Sequence, residues 1–182
     1  MGLEDGSCLR MLRKLVGDPL SRVVCLVSWL DYIELVHLDW GGADSAAQQC
    51  PVSLGARLNI ELGGVICDAA ILAPSKSELQ RVLLVAAVVD RQKSVYLHLY
   101  EYWACFSGPP TVALLAKLPL PFSMAKPVHI VPLPAFSESF LLITENEIAF
   151  INALQILSGD VHLHCRPLPQ RADGGRDLVK SF

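Results

Sequence analysis

Charge is scarce in this sequence. Of 182 residues, 18% are Asp, Glu, Lys or Arg and 52% are hydrophobic, with a mean hydropathy of +0.41. A chain this apolar raises the question of a membrane span, but long apolar runs are lacking too. Val23 to Leu30 stops at Asp31, Val82 to Val89 lies between Arg81 and Asp90, and Val128 to Pro134 is held between prolines. Gly108-Pro109-Pro110 breaks the longest uncharged stretch. None of these approaches the roughly 18–20 residues a helix needs to cross a bilayer, so no transmembrane helix is expected.

Other absences narrow the chemistry. The six cysteines (8, 25, 50, 67, 105 and 165) are scattered, and no pair has the C-x-x-C spacing of a zinc or redox site. Reduced, buried cysteines in a cytosolic or nuclear protein are the natural reading. No Gly-x-Ser-x-Gly elbow offers a hydrolase nucleophile, and no other acid–base set stands out. Gly63-Gly64 and Gly174-Gly175 are isolated pairs, so no glycine-rich phosphate loop exists. A formal net charge of −3 argues against unspecific nucleic-acid binding, though a local basic patch stays open. The N-terminus carries Glu4 and Asp5 without an apolar core, so no secretory signal is read there. Gly6 stands where a myristoylation pattern built on Gly2 requires Ser or Thr.

Short apolar runs separated by turn residues are what the chain does have. Arg22 to Ser28 and Tyr32 to Leu38 form a first hairpin pattern, followed by Val65 to Leu72 and Arg81 to Val89. Val82 to Val89 is apolar on both faces, as a strand buried on both sides reads, and eight residues is short for a helix. Asp90 to Lys93 is a polar turn. In Ser94 to Tyr102 after it, Val95, Leu97 and Leu99 alternate with Tyr96, His98 and Tyr100. Thr111 to Leu118 is a further strand. Then Pro127 to Pro134 leads into Phe140 to Ile143 and Ile148 to Ile151, joined at Glu145-Asn146-Glu147, where Asn146 tolerates a positive φ. Val161 to Cys165 is the last strand. Within residues 1–16, Cys8 to Val16, with apolar positions 9, 11, 12, 15 and 16, fits a helix about as well as a strand, and Gly17-Asp18-Pro19 reads as a turn. About nine or ten strands and no amphipathic helix mean an all-β fold: sandwich, barrel or propeller.

Two groups invite chemical readings. His162, His164 and Cys165 look like metal ligands, but on a strand the two histidines share a face and Cys165 points away. With no second ligand pair, they read as ordinary strand residues. Tyr96, Tyr100, Tyr102 and Trp103 offer a base-stacking platform, yet no basic residues are interleaved with them, so core and cross-strand packing is the preferred reading. No catalytic, cofactor-binding or metal residue is assigned, and partner-binding residues stay undefined.

Two patterns point further. One is Asp18-Pro19-x-x-Arg22 followed by the strand Val23-Val24-Cys25-Leu26 and a second strand ending at Leu38. The other is Pro132-Leu133-Pro134 followed by the hairpin Glu145-Asn146-x-Ile148-x-Phe150-x-Asn152. In this order they resemble the N-terminal propeller region of a family of very large β-propeller scaffolds. That family includes the large subunit of the UV-damaged DNA-binding complex and the yeast methyl methanesulfonate sensitivity protein. It also includes the large propeller subunits of the cleavage and polyadenylation factor and of the branch-site-recognising splicing factor. The resemblance covers roughly residues 15–170; Gly17 departs from the apolar residue usual before Asp-Pro.

The resemblance implies an incomplete β-propeller of about two to three blades, each an antiparallel four-stranded sheet, over residues 17–165. Residues 1–16 precede it and 166–182 follow as a loop or frayed tail. It implies a nuclear, non-catalytic scaffold without cofactor or metal, resembling the propeller adaptor of a cullin-type ubiquitin ligase in the DNA-damage response. Its partners are other proteins, cullin-ligase or RNA-processing subunits, with nucleic acid reached only through the complex and no membrane. The alternatives are a scaffold in pre-mRNA splicing or 3′-end processing and, from another class, a small β-barrel holding an apolar ligand.

Overall fold

A computed structural model describes residues 12–18, 23–28, 32–40, 52–72, 81–103, 110–121, 127–159 and 164–167. The described chain is all-β. Its elements are β1 (Leu12–Asp18), β2 (Val23–Ser28), β3 (Tyr32–Trp40), β4 (Val52–Glu61), β5 (Val65–Leu72), β6 (Arg81–Val89), β7 (Val95–Trp103) and β8 (Thr111–Pro119). They continue with β9 (Pro127–Pro132), β10 (Ser139–Thr144), β11 (Glu147–Asn152), one short helix α1 (Ala153–Ser158) and β12 (His164–Pro167). Each strand pairs antiparallel with its neighbour in sequence, giving three four-stranded sheets: β1–β4, β5–β8 and β9–β12. Among the described residues β1 pairs with β2 and not with β12, so the chain does not close into a barrel. That topology removes the barrel alternative.

Several local expectations meet their residues. Around Asp90 the turn is tight because its Oδ1 accepts from the backbone N–H of both Gln92 and Ser94, at 2.8 Å each, while Lys93 takes φ 64°. Between β10 and β11 the physical agent differs from the expected one. Among the described non-glycine residues only Lys93 and Glu138 have positive φ, so Asn146 does not turn the chain that way. Thr144 does: its Oγ1 accepts from the N–H of Asn146 and Glu147 and donates to the Glu147 carbonyl.

Three further readings are corrected or completed. β1 makes residues 12–18 a strand, so Gly17 and Asp18 belong to a ladder rather than a turn; Pro19 lies outside the described residues. β4 had no counterpart in the sequence reading, although Leu58 and Ile60 alternate with exposed Arg57, Asn59 and Glu61. Gly55 and Ala56 break that alternation, at the position where the β3–β4 register shifts. A short helix also exists. Asn152 caps α1, its side chain accepting from Leu154 N–H at 2.8 Å while the Gln155 side chain accepts from Asn152 N–H at 3.3 Å. Gly159, in the left-handed region, ends it.

The middle sheet is the centre of packing. On β6, Leu83, Val85 and Ala87 face the third sheet, joining Phe140, Leu142, Ile151 and Ile156. Val82, Leu84, Ala86 and Val88 face the first sheet, against Ile33, Leu35 and Ile60. Every residue from Val82 to Val88 is buried, as its two apolar faces require. Small residues sit where the sheets crowd: Ala69 pairs with Ala86 across the β5–β6 ladder. Between the first and middle sheets the chain turns at Gly63 and Gly64. A Cβ on Gly64 would lie 2.4 Å from the Val89 carbonyl oxygen, so only glycine lets β5 begin this close to β6.

Candidate interaction surfaces

The edge where the three sheets meet is built by their first strands, β1, β5 and β9, with β5 beside both others. A β-bulge at Cys67 prepares it. The ladder runs from Ile66–Val88 to Asp68–Ala87, so Cys67 is an extra residue. The extra residue also flips the alternation: Ile66 faces the first sheet, yet Ala70 and Leu72, an even number of residues further on, face the third.

Beyond the bulge sits Asp68, an acid in an otherwise apolar strand, its side chain 6% exposed. Its Oδ1 accepts from Lys14 Nζ of β1 at 2.7 Å, and its Oδ2 from the Ile130 backbone N–H of β9 at 2.7 Å. His129 Nδ1 lies 3.9 Å from Oδ2. One carboxylate thus ties together strands from all three sheets, and both of its oxygens are satisfied, which is the condition for burying such a charge. Arg81, at the start of β6, adds a second tie: it bonds Glu101 of β7 and lies 3.7 Å from Glu138 in the β9–β10 turn. The Glu138 carbonyl in turn accepts from Ala153 N–H at 2.9 Å, fixing the start of α1.

On the middle sheet the aromatics of β7 do not form one platform. Tyr100 and Tyr102 are buried in the core against the first sheet, and Trp103 is on the opposite face. Tyr96, half-buried, carries the Lys117 ammonium 4.1 Å from its ring centroid, a cation–π contact. Between Tyr96 and Tyr100 lies His98, ring centroids 6.5 and 6.1 Å away. His98 Nδ1 is 3.3 Å from the Tyr100 hydroxyl, while Nε2 is buried without a protein partner. Burial, and then the positive Lys117, lower its pKa from 6.5 to about 4, so the ring is neutral near pH 7. Burial raises the Tyr100 pKa.

His164 and Cys165 lie on β12, and His162 falls outside the described residues. Among the described residues no three His, Cys, Asp or Glu side chains cluster as a metal site, and no helix is long and apolar enough to cross a membrane.

The third sheet shows the feature best suited to binding. Its inner face, Ile130, Phe140, Leu142, Ala149 and Ile151, is buried. Its outer face is largely apolar as well, with exposed His129 and Arg166 flanking Ile143 and Ile148. Register aligns Val131, Leu141 and Phe150 in one row, and Ile143 with Ile148 in the next. Val131 and Phe150 are about 40% exposed, and Phe136, 60% exposed, meets Phe150 edge-on at 6.3 Å. No sequence signal had marked these residues as a surface, because a strand apolar on both sides looks the same whether one face or two are covered. The outer face of the first sheet is more polar: Glu34 reaches Arg57 at 3.6 Å, beside Tyr32, Asn59 and Glu61, with Leu15 61% exposed near its inner edge.

Among the described residues the protein is all-β, three stacked antiparallel meanders with a partly exposed apolar face on the third sheet. Comparison with protein-family models and with curated proteins finds no match to it.

Proposed function

We propose that this chain is a non-catalytic protein-interaction scaffold whose three sheets are propeller blades. The observation that carries the reading is the serial arrangement: three four-stranded meanders in chain order, stacked face to face, with β1, β5 and β9 adjoining at one edge. Propellers are assembled that way, from four-stranded sheets set around an axis. The count of three meanders fits the two to three blades implied by the Asp18-Pro19 and Glu145-Asn146 patterns. An apolar outer face on the third sheet supplies a surface of the kind that binds proteins.

By the same resemblance, the scaffold works in the nucleus as an adaptor of a cullin-type ubiquitin ligase in the DNA-damage response. Affinity purification of the tagged chain from nuclear extract tests this. Recovery of cullin and ligase subunits is the expected result. Splicing or polyadenylation subunits in stoichiometric amounts transfer the scaffold to RNA processing. Recovery of neither group overturns the reading.

A further inference from the structure

We propose that the outer face of the third sheet binds an acidic amphipathic helix of a partner protein, its apolar stripe on Val131, Ile148 and Phe150 and a carboxylate on Arg166. The inference rests on the scaffold reading and names the chemistry of the partner.

Register lays the face out in rows. One row crosses all four strands as His129, Ile143, Ile148 and Arg166. The next holds Val131, Leu141 and Phe150 and ends at His164 on β12. Phe136, edge-on to Phe150, widens the apolar centre. From Val131 and Phe150 to Arg166, the described side chains of both rows are exposed or half-buried, and that of His129 is 66% exposed.

Charge then restricts the occupant. Both ends of the first row are hydrogen-bond donors: the Arg166 guanidinium, a fixed positive charge, and the His129 ring. Neither row contains an acid, since Glu147 alternates to the other side of β11 and Glu145 stands in the turn beyond the rows. Among the described residues none pairs with Arg166. The acid nearest His129 is Asp68, 3.9 Å away and already held by Lys14 and the Ile130 N–H. A carboxylate brought to this rim gains a partner, whereas a second cation is repelled.

Backbone chemistry selects a helix. β10 and β11 are central strands, paired on both sides, so their face offers side chains and no main-chain groups. An extended segment laid across it leaves its own N–H and C=O groups unmet, while a helix satisfies them internally. Three strand spacings of about 4.8 Å put the two ends of the first row about 14 Å apart. That is the length of about nine helical residues at a rise of about 1.5 Å. An apolar stripe at i, i+3, i+4 and i+7 spans it, with acids at i−1 and i+8. Four short strands cover well under the roughly 800 Å² per partner of a standard interface, so the contact is weak and exchangeable.

Fluorescence anisotropy with two labelled helical peptides tests this. Both carry leucines at i, i+3, i+4 and i+7; one has glutamates at i−1 and i+8, the other lysines there. In low salt the glutamate peptide is expected to bind the 182-residue chain at micromolar concentration, about tenfold tighter than the lysine peptide. Phe150→Asp, with parental far-UV circular dichroism, abolishes binding. Should it fail to fold, Phe136→Ser, at a position 60% exposed, replaces it. Arg166→Glu, also exposed, reverses the preference towards the lysine peptide. No binding, equal affinity for both peptides, or a preference unchanged by Arg166→Glu overturns the proposal. A parent dimer in light scattering that Phe150→Asp turns into a monomer gives the face to a second copy and overturns it too. A chain that recovers ligase subunits from nuclear extract but ignores the glutamate peptide loses this inference and keeps the scaffold reading. One that binds the peptide as expected but recovers neither ligase nor RNA-processing subunits keeps the face chemistry and loses the nuclear adaptor.

Discussion

The middle and third sheets are built on one plan, and their central strands read alike in sequence. Val82 to Val89 on β6 has no polar face, and neither Phe140 to Ile143 on β10 nor Ile148 to Ile151 on β11 has one. In the folded chain they part company. Both faces of β6 are covered, one by each neighbouring sheet. Only the inner faces of β10 and β11 are covered, and Leu141, Ile143, Ile148 and Phe150 keep access to solvent. Apolar patterning thus reports what a strand is suited to bury, while its neighbours determine what it does bury. The mismatch on the third sheet is what leaves apolar side chains of that face partly exposed.

The sharpest way to break the comparison is one charge placed on each sheet. Val85, fully buried on β6, belongs to the apolar core between the middle and third sheets, so Val85→Asp buries a carboxylate among apolar side chains. We expect a loss of more than about 4 kcal/mol and no soluble folded protein. Phe150→Asp lowers unfolding stability by only about 1–2 kcal/mol, because its side chain, 40% exposed, loses the edge-on Phe136 contact without burying the new charge. Urea titration of both variants is the measurement, and equal effects would mean the two sheets are covered alike.

A smaller effect follows from the tie between sheets. Lys14→Met leaves the Asp68 charge buried with the Ile130 N–H as its remaining close donor. Loss of one member of a buried pair costs about 3–5 kcal/mol, and Lys14 is about one-third exposed, so the lower end is expected. Lys14→Met combined with Asp68→Asn removes the orphaned charge while keeping an acceptor for the Ile130 N–H, and recovers most of that loss. If the single variant is as stable as the parent in urea, Asp68 does not hold the sheets together.

The smallest effect at neutral pH, and one that grows in acid, belongs to His98. Its folded pKa of about 4 lies below the ordinary 6.5, so the unfolded chain binds the proton more readily. Its contribution is full above pH 6.5 and is lost as the pH falls from 6.5 towards 4, by up to about 3 kcal/mol. His98→Phe removes this part of the acid destabilisation. Melts of parent and variant at pH 7 and pH 4.5 check it, and identical slopes against pH would place His98 in water in the folded state.

Much of the fold was legible because strand faces are local. The alternation in β7 and the doubly apolar run of β6 are set by period-two geometry, and the β6–β7 turn by the reach of Asp90 to its own backbone. β1 was ambiguous because its apolar spacing suits either period. β4 was obscured by Gly55-Ala56, and α1, six residues long, is shorter than a helical pattern needs to show itself. The capping signal Asn152-x-x-Gln155 was present in the sequence all the same.

Sequence alone determined the class of structure, since short strands with turn chemistry between them leave little besides an all-β fold. It also determined that β6 lies at the centre, because a strand with no polar face is stable only between two covers. Only the tertiary structure decided that the strands fall into three meanders. It alone joined Asp68 to Lys14 and Ile130, which lie 54 and 62 residues away in the chain. It alone left one face of the third sheet open. Those outcomes depend on contacts between distant segments, and no local periodicity encodes which distant segment arrives.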